Sequence, residues 1–237
     1  RRWSRARCRM RKASRAASRS SDTMRARRHP TRGATRGDNL RHALAQEAAR
    51  IMAEHGVQDF LVAKRKAAER FGATDGAALL PKNSEIEAAL AEYQRLFGGA
   101  SHQRSLEAQR RAALAAMRYF SEFEPRLVGA VLAGTATEHS DVQLHLFAER
   151  AEEVTLKLLD QGIEHEVIER RVKLSAERVR AFPGVRFRLD DQAIEATVFP
   201  TDGIRQAPVS PVDCRPMRRA NLIEVQALLG DRLSASG

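Results

Sequence analysis

Asp141, Gln143 and His145 occupy alternate positions in the segment Asp-Val-Gln-Leu-His-Leu-Phe, residues 141–147. A strand has a side-chain period of two, so these three would share one face while Val142, Leu144 and Leu146 share the other. Glu195 lies in a similar run, where Ile194, Ala196 and Val198 would face a core and leave Glu195 on the open side. Carboxylate oxygens are the usual ligands of hard cations such as Mg2+. Asp141 and Glu195 each offer such oxygens, while Gln143 offers only a neutral carbonyl oxygen. An Asp141–His145–Glu195 set would suit a transition metal. The plainer reading makes His145 a polar surface residue on the strand, His139 a solvated loop residue, and Asp190-Asp191 a hairpin turn.

The segment ahead of Asp141 reads Gly129-Ala-Val-Leu-Ala-Gly-Thr-Ala-Thr-Glu-His-Ser140. Together with Asp141-Val-Gln-Leu144 it resembles the active-site signature of the polymerase-β-like nucleotidyltransferases. Many small bacterial members read Gly-Ser-x-x-x-Gly-Thr-Ala-x-x-x-Ser-Asp-x-Asp-Leu. Gly129, Gly134, Thr135, Ala136, Ser140, Asp141 and Leu144 match. Ala130 stands in place of the phosphate-binding Ser, Ala133 in place of a common Arg, and Gln143 in place of the second Asp. The resemblance spans roughly residues 125–200.

That resemblance implies transfer of a nucleoside monophosphate from a nucleoside triphosphate to an acceptor hydroxyl, assisted by Mg2+. It implies Asp141 and Glu195 as catalytic carboxylates, Asp141, Gln143 and Glu195 as the metal-binding set, and nucleotide contacts at Gly129, Ala130, Gly134, Thr135 and Ser140. Glycines there would let backbone N–H groups approach phosphates closely. The three departures favour an alternative, a catalytically inactive nucleotide- or partner-binding regulator of the same fold.

The elements needed to position these residues are legible in the apolar patterning. Helices are expected over residues 39–55 (Leu40, Leu44, Ala48 and Ile51 inward) and after the capping residue Asp59 (Phe60, Ala63, Ala67 and Phe71 inward). Ser84-x-x-Glu87 reads as a capping box for a third helix with Ile86, Leu90, Tyr93 and Phe97 inward. A fourth runs over about 101–120. Strands are expected at 127–133, 141–147, 163–174, 185–189 and 193–199, with a helix at 151–160. A Pro-rich loop (201–217) and a closing helix (219–233) complete the chain. This predicts an α+β protein: a helical region, 39–121, then a small nucleotidyltransferase-like mixed sheet with a covering helix, 122–200, and a C-terminal segment, 201–237. In that last segment Asp213, Arg215, Arg218 and Arg219 would either close over the cleft or form a charged cap on the final helix.

Charge divides the chain. The formal net charge is +11, yet residues 1–37 hold thirteen Arg and Lys12 against Asp22 alone, while the remainder holds 27 basic and 29 acidic residues. An Arg- and Ser-rich tail over residues 1–38, poor in large apolar residues, is expected to be disordered. It reads as a nucleic-acid-binding arm, a targeting peptide, or an upstream extension outside the native protein. Nucleic acid is expected to bind only through that tail. The helices at 48–56 and 63–72 faintly resemble the start of a helix-turn-helix regulator, but a recognition helix does not follow directly. Two cysteines, Cys8 and Cys214, suggest a reducing, cytoplasmic setting, and no apolar run approaches the ~18 residues of a membrane span.

Overall fold

A computed structural model describes residues 32–73, 80–175 and 177–230. Most of the expected tail lies outside the described residues. The first helix, α1 (Arg32–His55), begins seven residues earlier than the apolar stripe predicts and takes in the end of that tail. Helices α2 (Phe60–Arg70) and α3 (Asn83–Tyr93) pack on α1 around Leu44, Ala48, Ile51, Ala63, Ala67, Ile86 and Leu90. Asp59 caps α2 as expected, its carboxylate accepting from the N–H groups of Leu61 and Val62. The third helix is capped two residues earlier than expected: the Glu85 carboxylate accepts from Lys82 N–H at 2.7 Å, which frees Glu87 to face Thr135.

Two apolar positions fall outward, contrary to the periodicity. Phe71 is 47% exposed at the end of α2, and Phe97 is 71% exposed. The cause at Phe97 is a π-helical turn, Gln94–Gly98, between α3 and α4 (Gly99–Tyr119). A π turn holds an extra residue, which rotates the downstream face. Gln94 consequently points inward, buried, and Phe97 outward.

The second half is a five-stranded mixed sheet. Its strands are β1 (Arg126–Val128), β2 (Val142–Phe147), β3 (His165–Lys173), β4 (Val179–Leu189) and β5 (Gln192–Phe199), in the spatial order β1-β2-β5-β4-β3. Only β2 and β5 run parallel; the other pairs are antiparallel. The expected strand at 127–133 stops at Val128. Gly129, at φ +71°, turns the chain into a short helix, α5 (Gly129–Ala133). The strand expected at 185–189 is longer, and Pro183 marks where its pairing with β5 ends, since proline has no N–H for the ladder.

Three helices rather than one cover the sheet. Helix α4, α6 (Ala151–Asp160) and α7 (Leu222–Gly230) bury Leu106, Met117, Val154, Leu158 and Val225 against Leu144, Leu146, Ile194, Ala196 and Val198. Helix α4 thus belongs to the sheet's core, while α1–α3 form a core of their own. On the opposite face Phe147, Phe182 and Phe199 cluster beneath Ile204 of the 3-10 turn Thr201–Arg205. Among the described residues no helix is long and apolar enough to cross a membrane.

Candidate functional site

Strand register assembles the site. Gln143 of β2 lies beside Glu195 of β5, and Glu195 lies beside Arg186 of β4, all on the sheet face opposite α4 and α6. Asp141, one residue ahead of β2, joins them. Arg186 Nη2 donates to Asp141 Oδ2 at 2.7 Å and to Glu195 Oε2 at 3.3 Å. Arg170 of β3 forms an ion pair with Glu195 Oε1 at 2.6 Å. It reaches across β4, whose Phe182 is its direct partner in the ladder. The side chain of Glu195 is 5% exposed, whereas those of Arg170 and Arg186 are 46% and 47% exposed. The carboxylate is therefore the buried floor and the guanidinium groups are its lid. Burial lifts the Glu195 carboxyl above its usual value, against the opposing pull of Arg170 and Arg186.

Asp141, Gln143 and Glu195 are thus brought together as the sequence suggests. Arg170 and Arg186, which join them, are site residues that the sequence did not single out. Gly129 belongs to the same site: a Cβ there would meet the movable tip of the Gln143 side chain, so glycine is required chiefly for its positive φ. Ala130 packs against the sheet core in the short helix.

Gly134, Thr135 and Ser140 serve the loop itself. Gly134, at φ +84°, ends α5 with its N–H on Ala130 O. Ser140 Oγ accepts from Thr137 N–H at 2.9 Å. The buried Gln94 carboxamide donates to the carbonyls of Thr135 and Ala136, and Gln109 of α4 donates to those of Thr137 and Ser140. Gln58 reaches the His139 carbonyl. The helical half therefore clamps residues 135–140 from behind. Thr135 Oγ1 lies 3.5 Å from Glu87 Oε1, and burial, with a contribution from Asp213, lifts the Glu87 carboxyl.

His145 is buried rather than at the surface as the sequence suggests, because Phe199 of β5 and Arg219 of the C-terminal segment cover that end of the sheet. Its Nδ1 accepts from Arg219 Nε at 3.1 Å, and its ring meets Phe199 with centroids 4.7 Å apart. Burial and Arg219 push its pKa down to about 3, so the ring is neutral at ordinary pH. Arg219 also donates to the Gly203 and Ile204 carbonyls and lies over the Phe147 and Phe199 rings. It pins the C-terminal segment to the sheet, while Asp213 bonds within its own loop, accepting from Arg215 N–H. Asp190 and Asp191, both at positive φ, form the hairpin turn between β4 and β5.

Mg2+ prefers several oxygen ligands carrying negative charge in an octahedral shell. Here two carboxylates and one carboxamide face two guanidinium groups, and among the described residues no three of His, Cys, Asp and Glu gather into a metal-holding group. That donor set does not fit a two-metal centre. A surface hollow of about 940 Å3 lies elsewhere, against Tyr119, Phe123 and Lys157, and none of Asp141, Gln143 or Glu195 lines it. Comparison with protein-family models, with curated proteins and with solved structures found no match to this chain.

Proposed function

We infer that the Asp141–Gln143–Glu195 face binds a phosphate-bearing ligand of the nucleoside triphosphate class, without metal and without nucleotidyl transfer. The observation that carries this is the Arg186 guanidinium lying between Asp141 and Glu195. Its charge, with that of Arg170, compensates the two carboxylates that would otherwise call for a cation. Guanidinium groups carry five N–H donors in a fork suited to phosphate oxygens. Arg186 spends only Nη2 on protein, and Arg170 pairs through Nε. Among the described residues their remaining donors have no protein partner and can take a ligand.

The chain is then a nucleotidyltransferase-like binding or regulatory protein, and a reducing, cytoplasmic setting suits the exposed free thiol of Cys214. DNA reading through the helical half fits less well. Asn83 and Glu87 of α3 are turned toward Pro211 and Thr135 rather than presented to a groove.

A second reading retains transfer with Mg2+. It is favoured by the convergence of Asp141 and Glu195, and it requires Arg186 to swing away. Titrating ATP into the protein by calorimetry, with Mg2+ and with excess chelator, separates the two. Binding that survives chelation and weakens roughly tenfold or more in Arg186→Gln supports the arginine site. Binding that appears only with Mg2+, and is unchanged or tighter in Arg186→Gln, supports the transfer reading. No binding in either condition rejects both.

A further inference from the structure

Strand β3 closes one side of the sheet, and among the described residues nothing pairs with its outer rim except at one end. Leu174 N–H bonds inward to Arg178 O, whereas Lys173 O accepts outward from Val209 N–H. Backbone direction alternates along an antiparallel strand. The outward groups of β3 are therefore those of His165, Val167, Glu169 and Arg171. Beside this rim the helix-side face is bare: α6 stops short of β3, leaving an apolar groove of about 360 Å3 lined by Ala151, Leu156, Val167, Pro183, Val185 and Val198. Val167 is 65% exposed and Leu156 56% exposed.

We propose that β3 is a homodimer interface, pairing antiparallel with β3 of a second copy to extend the sheet across a two-fold axis at Ile168. A two-fold axis perpendicular to the sheet keeps each face on its own side, so only residues of one parity can pair. Centred on Ile168, the ladder sets Glu166 against the partner's Arg170, Val167 against the partner's Glu169, and His165 against the partner's Arg171. The outward backbone groups of 165, 167, 169 and 171 then all find partners.

The neighbouring registers are worse. Centring on Glu169 places that carboxylate against its own copy and needs the Lys173 carbonyl, which Val209 already uses. Centring on Arg170 opposes two guanidinium groups, and centring on Val167 keeps only residues 165–169 of the strand in the ladder. Charged residues usually blunt an exposed strand edge against pairing. Here both signs are present in an order that complements itself at one register and repels at the two beyond it. The same register brings the two apolar grooves side by side and removes Val167 and Leu156 from water. It also brings the partner's Glu166 to Arg170, the residue that holds Glu195, so assembly would bear on the site.

Sedimentation of the full chain across a concentration series, at ~0.15 M salt to screen the basic tail, tests this. The expected mass rises with concentration toward twice the 26.4 kDa of one chain. Val167→Pro removes an outward N–H and spares the ladder to β4, and Glu166→Lys faces the partner's Arg170 with like charge. Each is expected to raise the dimer dissociation constant roughly tenfold or more with an unchanged melting curve. Should Val167→Pro fail to fold, the surface variant Glu166→Lys decides alone. Hydrogen exchange at Val167, Glu169 and Arg171 should slow as dimer accumulates. A protein monomeric to several hundred micromolar, or a dimer indifferent to Glu166→Lys, overturns the proposal.

Discussion

At the scale of single residues, the site depends on one arginine shared by two acids. Gln143→Asp restores a third carboxylate, but Arg186 stays between Asp141 and Glu195, so the single variant should bind Mn2+ or Mg2+ little better than wild type. Gln143→Asp combined with Arg186→Gln leaves three carboxylates on adjacent strands and should bind the metal measurably by calorimetry. A single variant that binds as well as the double would show that Arg186 is no obstacle. Gly129→Ala forces a side chain into φ +71° and against Gln143, and is expected to cost roughly 1–2 kcal/mol or more in denaturant unfolding. Adding Gln143→Ala should recover only the collision part.

Two buried groups on the same face respond to pH in opposite directions. His145 has its pKa pushed from 6.5 down to about 3, so the unfolded chain binds more protons between those values. Stability should fall as pH drops through that window, by on the order of a few kcal/mol in full. His145→Asn keeps an acceptor for Arg219 and should flatten this slope. The Glu195 carboxyl is raised instead, so the folded state holds the extra proton. Stability should fall as pH rises from the ordinary glutamate value through the raised one, and Glu195→Gln should remove that slope. Thermal melts of wild type and both variants between pH 3 and pH 8 read the two slopes separately.

At the scale of elements, the π-helical turn Gln94–Gly98 joins the helical half to the loop that precedes β2. It turns Gln94 inward to satisfy the Thr135 and Ala136 carbonyls. Gln94→Leu leaves those carbonyls buried without donors, a loss of roughly 1–3 kcal/mol. Hydrogen exchange should quicken through residues 135–140 with little change in β4 or β5. Uniform exchange across the sheet would mean that the loop is held by other contacts.

At the scale of the whole molecule, two cores of unequal weight share the chain. The α1–α3 core is built largely from alanines with Leu44, Ile51, Ile86 and Leu90, while the sheet core holds most of the large side chains. Direct side-chain links between α1–α3 and the sheet half run through Gln58, Asn83 and Glu87. The smaller core buries less apolar surface, so α1–α3 is expected to open subglobally below the free energy of global unfolding. Native-state hydrogen exchange in low denaturant should show α1–α3 amides merging at a lower free energy than those of β2 and β5. A single shared value would make the molecule one cooperative unit.

The sequence alone determined the mixed α+β class, the order of helices and strands apart from the short α5, the Asp59 cap, and the common face of Asp141, Gln143 and Glu195. All of these follow from local rules: a period of two or 3.6, a capping oxygen, a turn pair. Even Arg186 was within reach, because a two-residue turn at Asp190-Asp191 sets Leu189 opposite Gln192 and hence Arg186 opposite Glu195. Arg170 was not, since its approach to Glu195 depends on how β3 registers on β4. Nor was the inward turn of Gln94, because one inserted residue in a helix changes every face after it. Tertiary structure alone decided that Arg170 would meet Glu195 and that Arg186 would also reach Asp141. Strand order and register place distant residues side by side, and neither has a local period to betray it.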